Sequence, residues 1–300
     1  MAFFMIIVFV LAGVFVVGTA IYFNQKAVYP HNWQYEETFQ KEFEKGLIGE
    51  RYFESLDKES VEIESEDNLK IVGYWIKGTS NKTIVISHGI TNNYVRSLKY
   101  LEPFLSRGYN AVVYDHRNHG KSEGDYTTFG YEEKKDLKKV IDYVQKRIGK
   151  EGIIGTHGES MGAATVLQHA AMDSRVDFII SDCSFSSAES IFAHRLSVEN
   201  HLPAFPFLQV ASFINKLRRG IWFSEMSPLA VIGKVHQPVL FIHGLADDYV
   251  PSRHTQILYD LKPEPKMLYL VEGAKHASSI YVNHEKYLET ITVFLDKYGF

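Results

Sequence analysis

Gly158-Glu159-Ser160-Met161-Gly162 sets a serine between two glycines, with a short apolar run before it and the alanine-rich stretch Ala163-Ala164-Thr165-Val166 after it. A strand that turns sharply into a helix needs small residues flanking the corner, and a serine there projects its hydroxyl clear of the backbone. That hydroxyl is a weak nucleophile until a base takes its proton and an acid orients the base. The pattern therefore predicts a carboxylate and then a histidine further along the chain. Both stand in that order. His243-Gly244-Leu245-Ala246-Asp247-Asp248-Tyr249-Val250-Pro251 follows one apolar run and offers Asp247, while Gly273-Ala274-Lys275-His276-Ala277 follows the last and offers His276. Asp248 competes with Asp247 for the acid, and so does Asp182, which ends the strand after the serine helix. The chain has 13 histidines, and His276 alone sits directly behind the final strand.

Acyl transfer also needs two N–H donors for the oxyanion, each worth about 10²- to 10³-fold in rate. The backbone N–H of Met161, next after the serine, supplies one. The other is expected from Ile90 in the loop His88-Gly89-Ile90-Thr91-Asn92. Asp115-His116-Arg117-Asn118-His119-Gly120-Lys121-Ser122 carries two histidines and an acid, which raises the question of a metal. Its spacing suits a turn after a strand, and no third ligand group stands nearby, so no metal site is expected.

These residues need a frame that gathers them at one edge. Residues 61–64 and 69–76 alternate apolar and polar side chains around the turn-like Glu66-Asp67-Asn68 and predict an antiparallel hairpin. Beyond it, short apolar runs at 83–87, 111–114, 152–155, 176–181, 239–242 and 267–271 predict strands. Helical patterns at 94–107, 132–147, 161–172, 253–261 and 285–298 separate them, the rhythm of a parallel sheet covered on both faces. Residues 185–235 break the alternation: they are rich in aromatics, helical in spacing and without a strand, and they read as a cap over the strand ends, where ligand sites of open α/β sheets lie.

The chain of 300 residues is 45% hydrophobic and 23% charged, the composition of a folded protein. A formal charge of −4 gives no general attraction to nucleic acid. Cys183 is the single cysteine, so no internal disulfide or cysteine-rich metal cluster can form, and it reads as a buried small apolar residue. Residues 1–25 carry no charged side chain, and the apolar run over 2–23 suffices to cross a bilayer core of about 30 Å. A cleaved signal peptide is the competing reading, but no basic residue precedes the run and the run exceeds the usual apolar core of such signals. Lys26 and Lys41 on its C-terminal flank lean the following domain toward the cytoplasmic side. The expected division is an anchor at 1–25, a helical connector at 26–59 and one catalytic domain at 60–300.

Taken together, His88-Gly89, the turn from Asp115 to Ser122, Gly158 to Gly162, His243 to Pro251 and Gly273 to Ala277 resemble the α/β-hydrolase superfamily, in particular its serine aminopeptidase-like and prolyl-oligopeptidase-like bacterial members. The likeness spans about residues 60–300. It implies a Ser-His-Asp hydrolase without metal or organic cofactor, acting on an ester, thioester or amide; the family includes carboxylesterases, lipases, thioesterases and peptidases. The aromatic cap tilts the expectation toward a small-molecule or lipid-like apolar acyl substrate, with an aminopeptidase as one alternative and a catalytically silent, membrane-anchored binding protein as another.

Overall fold

The computed structural model describes residues 1–49 and 51–300. The uncharged N-terminal run forms one helix, α1 (Ala2–Val28), and a capping box between Gln34 and Glu37 starts α2 (Tyr35–Glu44). The single turn α3 (Tyr52–Ser55) leads into the hairpin β1 (Lys58–Glu64) and β2 (Lys70–Ile76). There follow β3 (Lys82–Ser87), a 3₁₀ stretch Tyr94–Tyr100, the one-turn α4 (Glu102–Leu105), β4 (Asn110–Tyr114) and α5 (Glu133–Ile148). Next come β5 (Ile153–Glu159), α6 (Met161–Ala170), β6 (Phe178–Asp182), α7 (Ala188–Asn200) and α8 (Phe207–Arg219). The chain closes with β7 (Val239–Gly244), α9 (Arg253–Leu261), β8 (Lys266–Val271), the one-turn α10 (Ser279–Val282) and α11 (His284–Tyr298).

The eight strands form one sheet in the order β1-β2-β4-β3-β5-β6-β7-β8. β1 and β2 pair antiparallel, as do β2 and β4, and every later pairing is parallel. Alternation along β3 explains why both faces are covered. Ile84 and Ile86 pack with Leu98, Phe104, Ile291 and Phe294 on one side, and Val85 packs with Leu137, Val140 and Val166 on the other. Each such buried side chain contributes about 1.5–3 kcal/mol. Because β4 lies on one side of β3 and β5 on the other, the order reverses beside β3, and side chains just past the ends of β3 and β5 face a common crevice. His88 to Thr91 and Ser160 occupy those positions.

The expected single helix over 94–107 is instead a buried 3₁₀ stretch followed by one α turn. Asn93 caps the stretch by accepting from the Val95 N–H, and Pro103 at the start of α4 forces the break. α1 continues past the expected anchor boundary to Val28, and α2 lies within the expected connector, of which residue 50 is outside the described residues. Between β6 and β7 the expected cap at 185–235 supplies α7, α8 and three short 3₁₀ turns. The cap does not stand alone. Ala20, Phe23 and Val28 of α1 share one apolar cluster with Phe192, Phe207 and Phe223 of the cap and Met161 of α6.

Candidate active site

Ser160 occupies the corner between β5 and α6 with φ 56° and ψ −113°, a conformation that costs a non-glycine residue about 1–3 kcal/mol. The neighbouring chain holds it there. Its N–H donates to the Asp182 carbonyl at 2.8 Å, and a Cβ on Gly162 would stand 2.0 Å from the Ser87 carbonyl oxygen, so only glycine lets α6 start this close to β3.

His276 reaches the same point from the loop after β8. Its Nε2 lies 3.0 Å from Ser160 Oγ and its Nδ1 lies 2.7 Å from Asp247 Oδ2. The loops bearing Asp247 and His276 are joined through their backbones: the Leu245 N–H donates to Val271 O at 2.9 Å and the Ala246 N–H to Ala274 O at 3.0 Å. Gly244 makes the approach possible, since a Cβ there would lie 2.2 Å from Ala274 O. Asp247 is well held. Its Oδ1 accepts from the N–H groups of Tyr249 at 3.0 Å and Val250 at 2.8 Å, and its Oδ2 also faces His243 Nε2 at 3.1 Å. Burial alone would raise its pKa, but hydrogen bonds from His243, His276 and Val250 hold the carboxyl well below the usual carboxylate range. It stays ionised at neutral pH and faces His276 Nδ1, an arrangement that favours a ring proton on that nitrogen.

Neither rival acid touches His276. Asp182 Oδ2 accepts from Tyr287 at 3.0 Å, and burial followed by the Glu159 charge pushes its carboxyl up to about 7. Asp248 contributes its backbone carbonyl to His194. The N–H groups of Ile90 and Met161 have no intramolecular acceptor among the described residues, and both residues line the cavity beside Ser160.

Two further layers were invisible in the sequence. First, the histidines of the 88–119 region brace the loop that carries Ile90. His88 Nδ1 donates to Gly89 O at 2.7 Å while its Nε2 accepts from the His116 N–H at 3.0 Å; His119 Nε2 accepts from the Thr91 N–H at 3.1 Å. Burial, with the nearby His119, pushes His88 down to about 3, and burial lowers His119 as well, so both act as neutral acceptors. His116 and His119 thus belong to a turn that supports the loop. Second, a buried charge cluster lies directly behind Ser160. Glu159 receives Arg96 Nε at 3.0 Å, Lys99 Nζ at 2.6 Å and the Tyr100 hydroxyl at 2.6 Å. Arg96 also donates to Ala277 O at 3.3 Å and to Glu42 of α2 at 2.5 Å, and Tyr281 donates to the other Glu42 oxygen.

The cavity next to Ser160 has a volume of about 290 Å³. Phe129, Phe185, Ile191 and Phe192 form its buried apolar lining, with Phe23 and Ala27 of α1. Lys26, Arg195 and Glu199 form its charged, more exposed part, where Glu199 pairs with Lys26 at 3.2 Å and with Arg195.

Residues 26–215 match the model of the X-Pro dipeptidyl-peptidase (S15) family. The chain belongs to that family of α/β hydrolases. Bacillus subtilis YqkD is 41% identical over 285 residues, covering 94% of this chain and 93% of that protein. Among solved structures, the Pyrococcus furiosus esterase Pf2001 superposes with a TM-score of 0.68 at 27% identity, covering 82% of this chain and 93% of the esterase. The Pyrococcus horikoshii acylaminoacyl peptidase superposes with a TM-score of 0.60 at 19% identity, covering 81% of this chain and 42% of the peptidase, and shares the fold. This α/β hydrolase is a serine hydrolase, which removes the catalytically silent alternative.

Proposed function

We infer that Ser160, His276 and Asp247 form the catalytic triad of a carboxylesterase acting on an apolar acyl group, in a protein anchored to a membrane by α1. The observation that carries this reading is the unbroken chain of contacts from Asp247 through His276 to the Ser160 hydroxyl, beside an apolar cavity. His276 takes the hydroxyl proton as Ser160 Oγ attacks the acyl carbonyl, and the N–H groups of Ile90 and Met161 receive the oxyanion. The proton passes to the departing alcohol, leaving an acyl-enzyme. Water, activated by the same imidazole, attacks that ester and releases the acid, and Ser160 regains its proton.

A peptidase reading draws on the family's description. Against it stands the charge in the cavity: among the described lining residues Glu199 is the only carboxylate, and Lys26 and Arg195 already engage it. Among those lining residues no unengaged acid stands ready to receive the α-amino group that an aminopeptidase must recognise. The membrane reading rests on α1, whose exposed apolar surface over most of its length matches a bilayer span. A fluorophosphonate probe is expected to label Ser160, and Ser160→Ala to abolish both labelling and hydrolysis of p-nitrophenyl esters while circular dichroism stays native. Turnover by Ser160→Ala at the parent rate overturns the assignment, and faster cleavage of aminoacyl anilides than of esters favours the peptidase.

A further inference from the structure

The cavity beside Ser160 is built partly from the helix that reads as an anchor. Phe23, Lys26 and Ala27 line it from α1, facing Ile191, Phe192 and Glu199 of α7, and the Phe23 and Phe192 rings meet edge to face at 5.6 Å. α1 therefore does more than tether the domain. Its last turns replace what would otherwise be a side wall of the site.

The level of this wall along α1 matters. The apolar run ends at Phe23, and Lys26 lies about 4.5 Å further along the axis at 1.5 Å per residue. Lys26, Arg195 and Glu199 thus fall where a bilayer's headgroups would sit if the run over 2–23 crosses its core. The cap reaches further in. Phe207 stacks on Phe15 with ring centroids 5.8 Å apart, while Asn215 accepts from Asn24 at 3.3 Å, so α8 runs alongside α1 in the same direction. The start of α8 is then about 13 Å to the lipid side of Asn24. The tip before it, Leu202-Pro203-Ala204-Phe205, is wholly apolar, and Phe205 is 73% exposed. Water gives no reason for such a tip; hydrocarbon does.

A groove lies on that same side. Val14, Phe15, Gly18 and Tyr22 of α1 line it with Asn200 and Leu202 from the end of α7. The residues next in sequence, Phe23 and Glu199, line the cavity, so groove and cavity are flanked by consecutive residues of α1 and of the α7 end.

We propose that this site takes its acyl chain sideways from the bilayer that α1 spans, along the α1–α7 seam, so that the substrate is an acyl ester of a membrane-resident amphiphile and α1 is a wall of the acyl site. The proposal rests on the assignment of Ser160 as nucleophile and of α1 as a membrane span. Both can be separated from it experimentally.

The test uses the full chain in phosphatidylcholine vesicles and a dodecyl fluorophosphonate carrying a diazirine near the chain end. After Ser160 has displaced fluoride, illumination fixes the chain to whatever it touches, and peptide mass spectrometry locates the adduct. Adducts on residues 19–27 of α1 are expected. Ser160 labelled with adducts confined to segments other than α1 overturns the proposal and leaves the nucleophile intact; no labelling of Ser160 overturns both. As a second readout, Ala27→Trp narrows the seam and is expected to lower the ratio of kcat/KM for dodecanoyl over butanoyl esters by at least about tenfold. An unchanged ratio in a folded variant counts against the α1 wall.

Discussion

Glu42 of α2 and Arg96 approach to 2.5 Å one side chain away from the residue that precedes Ser160. The pair joins the N-terminal segment to the reacting centre, because Arg96 also holds Glu159 and the carbonyl behind His276. Arg96→Met removes a cation that two buried carboxylates share, and removing one member of a buried ion pair costs about 3–5 kcal/mol. Urea denaturation is expected to show a loss of that size, with ester hydrolysis falling alongside.

Asp247→Asn removes the charge that supports His276 and permits the wrong imidazole tautomer. A loss of kcat of about 10³- to 10⁴-fold is expected, with the serine still in place. Steady-state kinetics on a p-nitrophenyl ester measures it. Asp182→Asn, at the rival acid, is expected to stay within a few-fold of the parent.

The pH dependence of stability separates the same two acids. Burial, with the Glu159 charge, raises Asp182 to about 7, above its unfolded value of 3.8, so the folded state holds a proton that the unfolded state releases between those two values. Its contribution to stability is present below about pH 4 and is lost as the pH rises to about 7. The Tm of Asp182→Asn minus that of the parent is therefore expected to grow over this interval, and a flat difference in thermal melts would show that Asp182 ionises normally.

His119→Ala frees the Thr91 N–H and loosens the loop that carries Ile90. Small misplacements of groups that meet a transition state are expensive, so kcat is expected to fall about tenfold to a hundredfold with KM little changed. Equal losses in kcat and in the melting temperature would instead point to a general packing defect.

The alternation of apolar runs and helical stretches along the chain was sufficient to lay out the parallel sheet, and the order of the glycine-flanked serine, Asp247 and His276 named side chains that lie within 3.0 Å of their neighbours. What is not legible locally depends on partners distant in sequence. Glu42 sits on an amphipathic helix where nothing local marks it as an inward-pointing ion. His243 ends a strand and only in three dimensions proves to share the Asp247 carboxylate with His276. The span 94–107 divides into a 3₁₀ stretch and one α turn because Tyr94–Tyr100 is buried on every side, its Arg96 and Lys99 turned inward to ion partners that local spacing does not reveal, and Pro103 interrupts the α pattern. The contribution of α1 to the cavity was hidden for a related reason: an apolar run that can satisfy lipid looks the same as one that also packs on protein.

Asn24 is buried within α1 and donates to Ala211 O at 3.5 Å and to Asn215 at 3.3 Å. A polar amide hydrogen-bonded to the cap at that point opposes rotation of the catalytic body about its own stem. On a bilayer, copies of the protein would thus all present the same flank at the same height, and encounter with a lipid would become a search within a plane, governed by how many molecules share the leaflet rather than by concentration in the surrounding water.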